Sequence, residues 1–198
     1  MTDEHAFEYE MIKRGKSVMP TDPKTGVSQQ YTAHKVLAFH ALRSGDDSAF
    51  RLHVRELLDV VTSGFRDYGL PVHPEKQIPL LFLATAIEDF HRADELATIQ
   101  PETKHSHSFD VALVGALRAA ILGENPPSHR YNPTKSEEGL FNDISKVGSD
   151  NFSTSGTDFY WRATKARRYS NTVFQERNLF SESLTLIHKR AMQVGRGG

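Results

Sequence analysis

Nine side chains able to bind a metal or move a proton fall between positions 88 and 110: Glu88, Asp89, His91, Asp94, Glu95, Glu102, His105, His107 and Asp110. Glu88 and His91 have the i, i+3 spacing of carboxylate-bundle metal sites, and His91 and Glu95 have the i, i+4 spacing that also sets two ligands on one helical face. These spacings support a small all-α metal-dependent enzyme using Glu88, His91, Glu95, His105 and Asp110. Against it, a bundle site needs inward ligands from several helices, and His34, His40, His53 and Glu56 do not form a matching second motif. A solvated helix end followed by a polar turn accounts for the same residues. His105 and His107 stand just before an apolar run, where the free N–H groups of a helix start can take an anion or simply be capped.

Other chemistries lack their residues. The chain has no cysteine, which removes disulfides, thiolate nucleophiles and thiolate-bound zinc. It has no Gly-x-Ser-x-Gly elbow, no Walker A loop and no Gly-x-Gly-x-x-Gly turn. No cofactor and no catalytic residue are therefore assigned from the sequence.

The strongest binding signal is basic and aromatic: Tyr160, Trp161, Arg162, Lys165, Arg167, Arg168 and Tyr169. Cations can neutralise phosphates while flat rings stack on bases or guanidinium groups. The competing reading is an amphipathic helix with its aromatics in the core and its arginines in water. Charge distribution adds weight to the first. The net charge is only -1, but residues 1–100 hold 11 basic and 15 acidic side chains, residues 101–198 hold 13 and 10, and from Phe159 onward the count is 8 against 2. An acidic front and a basic end suit association with nucleic acid or with a neighbouring subunit.

The elements that must position these residues read as helical throughout, because no stretch alternates with period two. Residues 1–27 are polar, carry Gly15, Pro20, Pro23 and Gly26, and predict an extended arm. A helix capped by Ser28 runs to about 43. The next opens at Asp46 or Asp47 and carries Phe50, Val54, Leu57, Leu58, Val61, Phe65 and Tyr68 on one face, with Gly69 and Pro71 as its stop. A third helix from Pro79 to about 99 is apolar on every side at its start, and a fourth, capped by Ser106 or Ser108, ends before Gly123. The third and fourth should lie innermost in the bundle. Residues 124–156, rich in Pro, Gly, Ser and Asn, predict an irregular connector with one short helix at about 136–147.

The stretch 157–194 contains neither glycine nor proline. Within it Phe159, Ala166, Val173, Phe180, Ile187 and Val194 recur at intervals of seven. It predicts either one rod of about 57 Å or, with breaks at Ser170 or Ser181, several shorter helices.

The expectation is thus an all-α chain: an arm at 1–27, an antiparallel helical bundle at 28–123, a connector at 124–156 and a basic amphipathic segment at 157–198. Its function would be that of a non-catalytic structural or adaptor subunit of a larger assembly, of coat, nucleoprotein or adaptor type. The expected partners are copies of itself or other subunits, together with nucleic acid, and no membrane. The acidic, apolar-poor start at Met1–Glu10 and the lack of a long apolar run point to an intracellular (cytoplasmic) protein or a particle assembled there.

Overall fold

The computed structural model describes residues 23–128, 131–164 and 179–196, and among them it contains eight α-helices and no strand. The all-α expectation holds. The chain divides into two compact units, Met1–Pro71 and Val72–Gly198.

The described part of the first unit is an antiparallel hairpin of α1 (Pro23–Ser44) and α2 (Asp47–Tyr68). Helix α1 begins five residues before the expected Ser28 cap, at a proline whose fixed φ suits a first turn. The arm expected over 1–27 therefore overlaps the helix, and residues 1–22 lie outside the described residues. Asp46 caps α2 by accepting the Ala49 N–H at 2.9 Å. Gly69, at φ 62°, ends α2 in the left-handed region and donates its N–H to Phe65 O. The two helices approach closely near Gly64, where a side chain would come within 3.1 Å of Val27.

The second unit is built around α3 (Pro74–Ala86), which packs against α4 (Phe90–Thr98), α5 (Ser108–Leu122) and α8 (Leu179–Arg196). Leu80, Leu81, Phe82, Leu83 and Ala84 are all buried, so the all-round apolar start reads correctly as a central element. Its start and length do not. Pro74 opens α3, Pro79 lies inside it, and the single helix expected to run to about 99 is two helices. The break falls at Glu88, which holds φ 60°, and Asp89 then caps α4 through the Arg92 N–H.

The C-terminal carbonyls of α4 are satisfied from its neighbours. Gln77 of α3, fully buried, donates to Leu96 O (2.6 Å) and Ile99 O (2.9 Å), and Arg118 of α5 donates to Ala97 O. Burial pulls the Arg118 guanidinium below its ordinary range. Helix α5 is capped by neither Ser106 nor Ser108 but by His107, whose Nδ1 accepts the Phe109 N–H at 3.3 Å.

The connector holds α6 (Lys135–Ser145), opened by a capping box in which the Thr134 N–H and hydroxyl both donate to Glu137 at 2.8 Å. Helix α7 (Ser155–Thr164) crosses α6 where Gly139 faces Gly156, and any side chain on Gly156 would enter the Gly139 backbone. Beside this crossing, buried Asp143 accepts the Thr157 N–H (2.5 Å) and hydroxyl (2.9 Å), placing a carboxylate at the positive end of α7.

Candidate functional site

The residues of the expected metal set are all described, and only His91 and Glu95 share a helix, α4. Glu88 sits exposed in the α3–α4 turn, His91 is exposed on α4, and His105 is exposed in the loop before α5, while Asp110 is buried on α5. Neighbouring acids are engaged in structure: Asp89 pairs with Arg92 at 2.8 Å, and Asp94 takes a bidentate contact from Arg190 of α8 at 2.7 and 2.6 Å. That hydrogen bonding holds the Arg190 guanidinium above its ordinary range, and the same group lies 5.0 Å from the Phe90 ring centroid. Among the described residues no three His, Cys, Asp or Glu side chains form a group that could hold a metal. The spacing placed Glu88, His91 and Glu95 on one continuous helix face; the left-handed turn takes Glu88 off that face, while His91 and Glu95 keep their i, i+4 relation within α4.

The basic-aromatic set divides differently from its sequence pattern. Tyr160 is only 2% exposed and stacks on Phe109 at 5.9 Å, and Trp161 packs on Phe180 at 5.4 Å. Tyr160 is thus a core ring, while Trp161 is half-buried. The outward face of α7 is instead Phe159, 48% exposed, with Arg162 and Ala163 three and four positions on, both exposed. Lys165, Arg167, Arg168 and Tyr169 lie outside the described residues.

The single-rod reading of 157–194 fails on geometry. An uninterrupted helix would separate Trp161 from Phe180 by about 28 Å, yet their rings touch, and Ser181 donates to Asp158 at 2.5 Å. The heptad positions fare accordingly: Phe180 and Ile187 are buried, Phe159 is exposed, and Ala166 and Val173 lie outside the described residues. The start of α8 is seated on α3, with Phe82 and Phe180 rings 4.2 Å apart and the Ser183 hydroxyl on Phe82 O at 2.9 Å. Farther along, His188 reaches Val147 O at 2.7 Å and stacks on Phe152 at 4.5 Å. The α7 residues Asp158 and Trp161 are therefore held against the first turn of α8.

A cleft of about 650 Å³ lies between the end of α5, the 124–128 stretch and α6, lined by Ala116, Ala120, Gly123, Phe141, Asn142 and Ser145 among others. Among the described residues that line it, Glu124 alone is ionisable.

In the first unit the structure joins two histidines, His34 of α1 and His53 of α2, with their Nδ1 atoms 3.4 Å apart. They are 19 positions apart, and only the hairpin register could have paired them. No protein-family model matches this chain, and neither a curated protein nor a solved structure matches it. Among the described residues no helix is long and apolar enough to cross a membrane.

Proposed function

We propose that this chain is a non-catalytic helical subunit or adaptor of a larger assembly. In this reading the outer face of α7 and the basic stretch that follows it contact nucleic acid or an acidic surface of a neighbouring subunit. The observation that carries it is the pairing of exposed Phe159 with exposed Arg162 on α7, directly ahead of Lys165, Arg167 and Arg168 in sequence. An exposed aromatic beside a run of cations combines a stacking or anchoring surface with phosphate or carboxylate neutralisation.

The test separates the two partners. Arg162, Lys165, Arg167 and Arg168 are changed together to Gln, and binding of labelled DNA and RNA oligonucleotides is measured from 50 to 200 mM salt alongside the oligomeric state by light scattering. If the cations meet phosphates, affinity falls for every oligonucleotide alike, and the log-log salt slope flattens by roughly 0.9 per lost contact. If they meet acidic protein, oligonucleotide binding is absent from the start and the oligomer dissociates on the substitution. A folded variant with unchanged binding and unchanged oligomeric state would overturn the proposal.

A further inference from the structure

The α1–α2 hairpin carries an ionisable pair on its packed face. His34 and His53 are both half-buried, with Nδ1 atoms 3.4 Å apart, ring centroids 5.6 Å apart and planes inclined by 39°. The two nitrogens therefore face each other along the line between the rings. Such an arrangement needs one nitrogen to be an acceptor: an Nδ1–H can point at a lone pair, whereas two Nδ1–H groups on two imidazolium rings repel both as dipoles and as charges. The pair accommodates no added proton or one, but not two. We infer that His34 and His53 form an acid-sensitive latch between α1 and α2, closed at neutral pH and driven apart when both rings are protonated.

The surroundings set the direction. Burial is the largest influence on each ring and lowers both below the ordinary histidine range, and His34 depresses His53 further. Glu56 on α2 acts on both rings in the opposite sense, as does Asp46 at the α2 cap on His53, but neither outweighs burial. On α1, the buried Tyr31 hydroxyl is pushed further above its already alkaline range, and Lys35 extends over the Tyr31 ring. Since the folded values are depressed, the open hairpin takes up protons first as the pH drops. Stability is thus complete above the ordinary histidine value and declines as the pH falls through it toward the folded values.

The experiment follows backbone amide exchange of α1 and α2 in the full chain at pH 7.5 and pH 5.0, corrected for intrinsic exchange, in the wild type, His34→Gln and His53→Asn. In the wild type, opening of the hairpin should rise by up to about tenfold per pH unit for each proton bound only in the open form. Either variant should cut that dependence to half or less on a logarithmic scale. An unchanged pH dependence in both variants overturns the latch. Should a variant fail to fold, ring NMR of the wild type decides: coupled, two-step titration of His34 and His53 supports the latch, and independent titration at ordinary histidine values overturns it.

Discussion

Glu88 shows how one residue decides between a site and a turn. At φ 60° it holds a conformation that costs a side-chain-bearing residue about 1–2 kcal/mol, in the position of a helix terminus where glycine is usual. Glu88→Gly should therefore stabilise the protein, by up to about 1 kcal/mol after the added freedom of the unfolded chain is subtracted. A fall in the urea midpoint would show that the Glu88 side chain contributes more than its backbone costs. Leu117 makes the opposite case. It is 1% exposed within α5, so Leu117→Ala should cost about 2–5 kcal/mol, and a midpoint shift near zero would mean that the cavity collapses without loss.

At the level of elements, the α6–α7 crossing depends on two residues whose importance is invisible along the chain. Gly156 meets the Gly139 backbone, and backbone cannot swing aside as a side-chain end does. Gly156→Ala should separate the helices at a cost of about 1–3 kcal/mol. Asp143→Ala leaves the buried Thr157 N–H and hydroxyl without their acceptor and should cost a similar amount, about 1–3 kcal/mol. Both changes should raise amide exchange in α7 before they raise it in α3, and equal acceleration everywhere would contradict a local crossing. The Arg190–Asp94 contact is bidentate but half-exposed, so breaking it should cost no more than about 1 kcal/mol.

For the whole molecule, the second unit has its own closed core: α3 is covered by α4, α5 and α8, all from Val72–Gly198. A fragment comprising that unit should unfold cooperatively when expressed alone, with dispersed NMR signals, and a molten, slowly broadening spectrum would refute this. What the sequence determined by itself was local. Asp46, Gly69 and Gly123 were readable as a cap and two stops because capping chemistry is settled within a turn of the chain. The all-α class and the central α3 followed from periodicity and from an apolar run with no polar side. What only the tertiary structure decided were pairings between distant positions: Tyr160 with Phe109, Trp161 with Phe180, Gln77 with the end of α4, and His34 with His53. An aromatic or a histidine carries the same letter whether it faces water or a neighbour. Which face it shows depends on helix breaks and crossings set by groups 14 to more than 100 positions apart, such as Asp143 with Thr157 and Ser183 with Phe82. That is why the Glu88–His91 spacing looked helical and was not, and why Phe159 of α7 is exposed while Tyr160 is buried.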